Sequence, residues 1–157
     1  MNQTKNPLFS RVSLKTIFSV QNKWHQHGVL VHTLRVVYYI LKAKDFKLFL
    51  AGFLHDVGKP STAFKKNEED YEFDEFSFND HEERSYQMIK NIPFISDYTK
   101  NIVRYHYLIR DMRKSKSTDF ERYLVKKKIW DSLCEPMKND LERFIIYDDL
   151  GKGNQRR

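Results

Sequence analysis

The chain of 157 residues has almost no cysteine, and its apolar residues never form a long run. Its one cysteine, Cys134, excludes an internal disulfide and a cysteine-based zinc site, and a lone thiol is typical of a reducing compartment. No stretch approaches the ~18 consecutive apolar residues of a membrane-spanning helix. The polar N-terminus also lacks the apolar core of a signal peptide. We therefore expect a cytoplasmic protein with no membrane partner.

The chain does contain enough apolar material for one domain, together with an excess of positive charge. Apolar residues make up 40% of the chain and aromatic residues 15%, which is sufficient to fill a single core. We expect one domain over residues 1–150, followed by a basic, disordered tail over residues 151–157. The net charge of +7 favours an anionic partner such as nucleic acid, although a solvated basic surface explains it equally well.

Apolar residues recur at helical spacing along most of the chain, which predicts a mainly α fold of six or seven helices. Capping residues and prolines suggest where these helices begin and end. The predicted helices start near Ser13, run over residues 29–43, follow Asp45, run over residues 80–92, start at Asp97, run over residues 120–133, and open at Pro136. Asn79 and Glu82 have capping-box spacing, and residues 110–119 form a basic, polar connection.

The helix after Asp45 is apolar on nearly every side, which predicts a buried central helix. We expect it to end at His55-Asp56, with Gly58 as a left-handed stop and Pro60 beyond it. Residues 61–79 combine a polar turn at residues 65–70 with a weak strand around Tyr71, Phe73 and Phe76. A small β-hairpin around residues 62–78 and a flexible lid both explain this segment.

Residues that can bind metal ions lie at inward-facing positions of several predicted helices. A single such histidine is more often a hydrogen-bonded core residue, and an aspartate near a helix end is usually solvated. Six of them in one small core would each need a separate buried partner, so one shared cluster is physically simpler. The candidate metal ligands are His32, His55, Asp56, His81, His106 and Asp148.

Imidazole and carboxylate ligands together suit manganese, iron, nickel, cobalt or zinc, and magnesium is a further candidate. Six ligands are too many for one zinc ion, so we expect two divalent metal ions with Asp56 between them. Asp149 competes with Asp148 for the last position, and the apolar stripe of the final helix favours Asp148. His25 and His27 are interpreted as surface groups or as supports of the ligands.

The ordered motifs resemble those of the HD-domain metal-dependent phosphohydrolases. They are His32-Thr-Leu-Arg, Leu-His55-Asp56-Val-Gly-Lys-Pro, Asn-Asp-His81-Glu-Glu, Tyr-His106-Tyr and Tyr-Asp148-Asp-Leu-Gly. The chain looks most similar to the HD domain of bacterial CCA-adding tRNA nucleotidyltransferases, although Tyr107 stands where that subfamily often has aspartate. The resemblance implies a single HD-type helical domain with phosphatase, 2′-nucleotidase or 2′,3′-cyclic phosphodiesterase activity.

Candidate catalytic and substrate-binding residues surround the His-Asp pair. We expect Asp56 to bridge the metals and accept the proton of the attacking water. Lys59 would lie at the rim of the site and hold phosphoryl oxygens, although a cation at a helix C-terminus is as good an explanation. Arg84 and Arg110 are weaker phosphate-binding candidates, since both also suit a solvated position. Arg113, Lys114 and Lys116 would join Arg110 in guiding a polynucleotide backbone.

The leading hypothesis is a phosphohydrolase that acts on a nucleotide or a phosphorylated nucleic-acid end, with 2′,3′-cyclic phosphate RNA ends as one candidate. Hydrolysis of a free nucleotide or a dinucleoside polyphosphate is the nearest alternative. Some proteins of the same fold and ligand order hold two irons and are oxygenases, so a di-iron oxygenase is a second alternative. A non-catalytic nucleic-acid-binding module is a third. The sequence leaves the oligomeric state open.

Overall fold

The computed structural model describes Lys15, Ile17, Phe18, Gln21, Asn22 and residues 25–153, and helices dominate these residues. The helix expected from Ser13 therefore lies largely outside the described residues. The elements in chain order are α1 (Val29–Lys42), α2 (Phe49–Leu54), α3 (Lys59–Thr62), β1 (Ala63–Phe64), α4 (Glu68–Glu72), β2 (Ser77–Phe78), α5 (His81–Ile89), α6 (Asp97–Tyr105), α7 (Leu108–Thr118), α8 (Phe120–Ser132) and α9 (Glu135–Lys152). The mainly α prediction is confirmed.

Helix α1 follows its predicted boundaries because its apolar residues keep one helical face. Val29, Val36, Val37 and Ile40 are buried on that face, and His32 lies among them with no exposed surface. Helix α1 packs against both α9 and α2. This packing carries His32 into the middle of the domain.

The core lies between α1, α2, α6 and α9. Its fully buried members include Leu48, Ile102, Leu141 and Phe144. Burying such side chains stabilises a domain by roughly 1.5–3 kcal/mol each. The helices that bring the candidate ligands together are thus fixed by one common core.

Among the described residues, no helix has both the length and the apolar character needed to cross a membrane.

The prediction of a central helix buried on all sides is wrong. Helix α2 has only six residues and follows a 3₁₀ turn at Phe46–Leu48. Leu48 and Ala51 face the core, whereas Phe46, Phe49 and Phe53 are 39–67% exposed. The carboxylate of Asp45 accepts a hydrogen bond from Arg143 Nε at 2.8 Å and does not cap the turn.

Gly58 does not adopt the left-handed conformation that its position after the helix predicts. Its φ is −78°, in the right-handed helical region, and Pro60 lies in the first turn of α3. A Cβ atom at Gly58 would lie 2.6 Å from the backbone nitrogen of Ser85 and 2.7 Å from the carbonyl oxygen of His81. Glycine is required here because α5 approaches the chain closely.

Gly58→Ala should lower the free energy of unfolding by about 1–3 kcal/mol, because backbone atoms cannot move aside as a side chain can. Denaturant unfolding of the purified variant measures the loss. Gly52→Ala is the matched control, since the one atom that its Cβ would approach too closely is Cδ1 of Ile40, at 2.6 Å, which is the end of a side chain. Alanine also favours the helix at that position. Equal losses in the two variants would contradict our explanation of Gly58.

The segment after α3 forms the predicted small hairpin, but a short helix lies between its two strands. Strands β1 and β2 pair antiparallel, with Ala63 opposite Phe78 and Phe64 opposite Ser77. The predicted polar turn is largely the short helix α4, whose N-cap Asn67 accepts a hydrogen bond from the backbone nitrogen of Asp70. Tyr71 belongs to this helix, so the strand predicted around it is wrong.

The next two helices begin close to their predicted positions but with different caps. Helix α5 starts after Asp80, whose φ is +50° and whose side chain makes no capping bond, so the predicted capping box is wrong. Helix α5 also ends at Ile89, earlier than predicted. Helix α6 starts at Asp97 as predicted, and Ser96 caps it by accepting from the backbone nitrogen of Thr99.

The C-terminal third is more helical than the sequence predicts. The basic segment at residues 110–119 is not a loop, because α7 continues through it to Thr118. Helix α8 matches its predicted range. Helix α9 contains Pro136 in its first turn and ends at Lys152. The tail predicted to start at Gly151 is therefore wrong for residues 151–152, and residues 154–157 lie outside the described residues.

Candidate metal centre

The structure brings all six predicted ligand residues to one place. His55 and Asp56 directly follow α2, and each of the other four comes from a different helix or its end. All six are at most 7% exposed. They are His32 from α1, His55 and Asp56 after α2, His81 at the start of α5, His106 after α6 and Asp148 in α9.

Asp56 lies at the centre, and its two oxygens face different pairs of histidines. Oδ2 lies 3.4 Å from His32 Nε2 and 3.2 Å from His55 Nε2. Oδ1 lies 3.5 Å from His81 Nε2 and 3.9 Å from His106 Nε2. In each of these two groups, the possible ligand atoms all lie within 4.8 Å of one another. The arrangement suits two neighbouring metal ions that share one carboxylate.

Asp148 extends the first of these groups. Its Oδ1 lies 2.9 Å from His32 Nε2 and 3.7 Å from His55 Nε2. Asp148 is 5% exposed, whereas the side chain of Asp149 is 58% exposed and contacts Arg110 and Lys152. The position of Asp148 therefore agrees with the preference for it over Asp149.

Backbone carbonyls orient two of the imidazoles. His55 Nδ1 lies 2.8 Å from the carbonyl oxygen of Gly52, and His106 Nδ1 lies 2.6 Å from that of Val103. A carbonyl only accepts, so in each ring Nδ1 carries a hydrogen and Nε2 is the nitrogen that faces Asp56. Hydrogen bonds of this kind fix metal-binding histidines in proteins.

The donor set fits divalent metal ions. His32 Nε2 and His55 Nε2 converge to 3.3 Å, so two lone pairs meet unless a proton or a cation lies between them. Both oxygens of Asp56 are buried without a hydrogen-bond partner, although Oδ2 has an ion pair with Lys59. Buried carboxylate oxygens of this kind are costly unless a cation compensates them. Four imidazoles and two carboxylates suit first-row metals.

Burial keeps most of the histidines neutral, which is the form that binds a metal. It lowers the pKa of His81 to about 4, lowers that of His32, and lowers that of His106 well below its ordinary value. His55 is the exception: burial opposes its protonation, but the carboxylates of Asp56 and Asp148 together outweigh burial and raise its pKa. Burial opposes ionisation of Asp56 itself, yet His55 and Lys59 hold its pKa well below the usual range.

Lys59 is not at the rim of the site, where the sequence placed it. It is 5% exposed, and its Nζ lies 2.7 Å from Asp56 Oδ2. The same Nζ donates a hydrogen bond to Gln21 Oε1 at 2.9 Å. Lys59 thus lines the cavity from a buried position and compensates the charge of the central carboxylate.

The two arginines proposed for phosphate binding lie in different places. Arg110 lines the cavity, where its Nη1 contacts Asp148 and its Nη2 lies 2.6 Å from Asp149 Oδ1. Arg84 does not line the cavity, and its Nε donates a hydrogen bond to Ser61 Oγ at 3.1 Å. The structure therefore brings Arg110, but not Arg84, to the candidate centre.

A cavity of about 940 Å³ opens onto the cluster, with Asp56, His81 and His106 among the residues lining it. The side chains of two further lining residues, Lys66 and Lys114, make no ion pair within the described part of the chain. Arg113 and Lys116, which were grouped with Lys114 in the sequence, do not line this cavity. Lys66 and Lys114 are therefore positive charges available to an anionic ligand.

His25, which the sequence left open as a surface group or a support of the ligands, lines the cavity beside His32. It is 9% exposed, and its ring lies edge-on to His32 with centroids 5.1 Å apart. Its Nδ1 lies 2.9 Å from Asn22 Oδ1, which only accepts, so Nε2 is a hydrogen-bond acceptor. We find no hydrogen-bond partner for Nε2 among the described residues. Nothing in the local sequence indicates this, because His25 precedes the helix that carries His32.

The family model of the HD domain matches residues 29–143, most of the chain. This chain belongs to the HD-domain family. HD domains are in general metal-dependent phosphohydrolases that bind divalent metals, which agrees with the His/Asp groups described above. The match ends before Asp148, the carboxylate that the structure places beside His32. No curated protein and no solved structure matches the chain.

Proposed function

We propose that this HD domain is a two-metal phosphohydrolase acting on a nucleotide or a phosphorylated nucleic-acid end. One observation carries the proposal: the two oxygens of Asp56 face two separate histidine pairs beside a large cavity. A carboxylate between two ligand groups suits a pair of neighbouring metal ions, which is the arrangement used in two-metal hydrolysis of phosphate esters. The resemblance of the sequence motifs to the HD domain of CCA-adding enzymes supports this proposal.

The roles of the side chains follow from their positions. Divalent metals in such a centre lower the pKa of a bound water and offset the charge of the transition state. His32 and His55 would hold one ion together with Asp148, and His81 and His106 would hold the other. Asp56, which belongs to both ligand groups, would be shared between them and could accept the proton of the attacking water. Lys59 keeps Asp56 ionised and in place.

The cavity suits a nucleotide better than inorganic phosphate. Its volume of about 940 Å³ is near the upper end of small-molecule sites. Lys66 and Lys114 on its wall supply positive charge away from the metal ligands. We therefore propose that the phosphoester to be cleaved lies at Asp56 while the rest of the nucleotide or chain end extends toward these lysines. RNA ends with a 2′,3′-cyclic phosphate belong to this substrate class.

A phosphate-release screen tests the proposed function. The metal-stripped protein is supplied with Mn²⁺, Ni²⁺, Co²⁺ or Mg²⁺ and assayed on nucleoside 2′-, 3′- and 5′-phosphates, dinucleoside polyphosphates, 2′,3′-cyclic nucleotides and matching oligonucleotide ends. With cyclic substrates, a phosphomonoesterase is added after the reaction, so that the monoester formed by ring opening releases phosphate and is also detected. We expect metal-dependent turnover of at least one class. No turnover with any metal and substrate would contradict the proposal.

The donor set also supports one alternative of a different class. Four imidazoles with a bridging carboxylate suit iron, so an oxygenase remains the second candidate function. Comparing aerobic with anaerobic turnover of the same iron-loaded protein separates the two. Hydrolysis proceeds without dioxygen, whereas an oxygenase stops when dioxygen is removed.

His25→Phe should lower kcat/KM about tenfold while leaving the metal content unchanged. The variant removes one hydrogen-bond acceptor from the cavity, and one such bond corresponds to roughly 0.5–1.5 kcal/mol. His25 belongs to neither group of candidate ligands, so metal binding should persist. Metal analysis and steady-state kinetics on the same preparation measure both quantities. Loss of metal in His25→Phe would show instead that His25 is a ligand.

A further inference from the structure

An apolar stripe runs along the outer side of α2 and the residues flanking it. Its members repeat at helical spacing, and each is 36–67% exposed. The opposite side of the helix, with Ala51, packs into the core. The stripe consists of Phe46, Phe49, Leu50, Phe53 and Val57.

The stripe continues onto α1. The two helices pack closely, since a Cβ atom at Gly52 would lie 3.6 Å from Val37 Cγ2. The side of α1 next to Val37 carries four further apolar residues that are 40–56% exposed. They are Leu30, Leu34, Tyr38 and Leu41. The stripe and these four residues together are named the α1–α2 face.

The α1–α2 face is larger than a monomer usually exposes. Side chains of this kind carry roughly 150–200 Å² each, so the partly exposed set presents about 750 Å². The largest apolar patch of a typical monomer is about 300–600 Å². One side of a standard protein–protein interface buries about 800 Å². The area of the face therefore matches what one subunit contributes to a stable dimer.

The charge of the face favours a second copy of the chain as its partner. Two chains with a net charge of +7 repel each other over most of their surfaces. Along residues 46–57 the only lysine or arginine is Lys47, whose Nζ lies 2.7 Å from Asp140 Oδ2, and His55 is buried. The only acidic one, Asp56, is buried. The α2 half of the face thus adds no unpaired charge to the repulsion between two copies, and an oppositely charged partner would find nothing on it to pair with.

We propose that the α1–α2 face packs against the same face of a second copy in a two-fold symmetric dimer. Such an interface is self-complementary, because each helix pair meets its own copy. None of the residues of the face lines the metal-site cavity. Each subunit of the dimer therefore keeps its cavity open to substrate.

Sedimentation equilibrium of the full chain tests the dimer. The monomer mass is 19.0 kDa, and we expect a species of about twice that mass at micromolar concentration. The buffer contains a reducing agent, since the exposed Cys134 could otherwise form a disulfide between chains. Phe53→Glu should raise the dimer dissociation constant at least about 100-fold, because it places a charge in the centre of the interface. Circular dichroism checks that each variant remains folded.

Two exposed phenylalanines elsewhere on the surface provide matched controls. Phe94 is 84% exposed and Phe120 61% exposed, and neither belongs to the α1–α2 face. Phe94→Glu and Phe120→Glu should leave the dissociation constant within about threefold of that of the wild type. A dimer that is disrupted by either control and survives Phe53→Glu would overturn the proposal.

A photo-cross-linking residue in place of Phe53 identifies what covers the face. A product of twice the chain mass from the purified protein supports the dimer. A cross-link within one chain would show that another segment of the same chain covers the face, and the proposal would be wrong. A wild-type chain that sediments as a monomer up to about 100 µM would also overturn it.

Discussion

Asp56→Asn should abolish metal binding at one or both positions and lower kcat/KM at least about 10³-fold, equivalent to roughly 4 kcal/mol of transition-state stabilisation. Asparagine has nearly the same shape as aspartate but lacks the negative charge that two metal positions share. It also cannot accept the proton of the attacking water. One substitution thus removes the bridge between both histidine pairs and the proposed base.

Metal content and thermal unfolding provide readouts of Asp56→Asn that do not depend on the substrate. A ligand that binds only the folded state at 100 times its dissociation constant adds about 2.7 kcal/mol of stability, which is a rise of roughly 5–11 °C in Tm for a domain of this size. We expect this rise for the wild type with the preferred metal and almost none for Asp56→Asn. Unchanged metal content and turnover in the variant would show that the site assignment is wrong.

Asp149→Asn is the matched control for Asp56→Asn. Asp149 lies beside a proposed ligand in sequence, but its side chain is 58% exposed and contacts Arg110 and Lys152. Losing exposed ion pairs of this kind changes stability by at most about 1 kcal/mol. Metal content should therefore remain at the wild-type level in Asp149→Asn.

Several of the candidate ligands could be grouped from the sequence because they continue the apolar side of a helix. The periodicity of α1 alone places His32 between Val29 and Val36, and the structure buries all three. Such patterns depend only on local geometry, which one helix determines by itself. The same reasoning placed His81, His106 and Asp148.

The errors arise where a residue's position depends on another part of the chain. Lys59 was expected at the rim, but Gln21 and Asp56 hold it inside. Nearly all of the basic segment at residues 110–119 belongs to α7. It is stabilised by Asp111, which forms ion pairs with Arg122 and Lys126 of α8. Contacts between residues this far apart in sequence leave no periodic signal.

Helix α2 shows what an apolar pattern can and cannot predict. A helix that is apolar on every side needs apolar packing partners on every side, and we expected the same chain to supply all of them. Within the described residues, the core packs against only one side of this segment, the side that carries Leu48 and Ala51. The proposed dimer would supply the rest, so the expectation of burial would hold for the assembly rather than for the single chain.

Phe144→Ala should lower the free energy of unfolding of the metal-free protein by about 3–5 kcal/mol, the largest stability effect that we expect from one substitution. Phe144 has no exposed surface. Its ring lies edge-on to His55 and His106, with centroids 5.5 and 6.0 Å apart. Truncation leaves a cavity directly beneath one ligand of each histidine pair. Denaturant unfolding in the presence of a chelator measures the loss.

Phe144→Ala should also weaken metal binding, although Phe144 contacts no metal position itself. His55 and His106 keep their hydrogen bonds to Gly52 and Val103, but their rings gain room to tilt once the supporting ring is gone. Phe144→Leu fills most of the space and should recover most of both losses. Phe120→Ala, at a position that is 61% exposed, should change stability by less than about 0.5 kcal/mol. If Phe144→Ala and Phe120→Ala bound the metal equally well, the packing of Phe144 would not be what holds the two imidazoles in place.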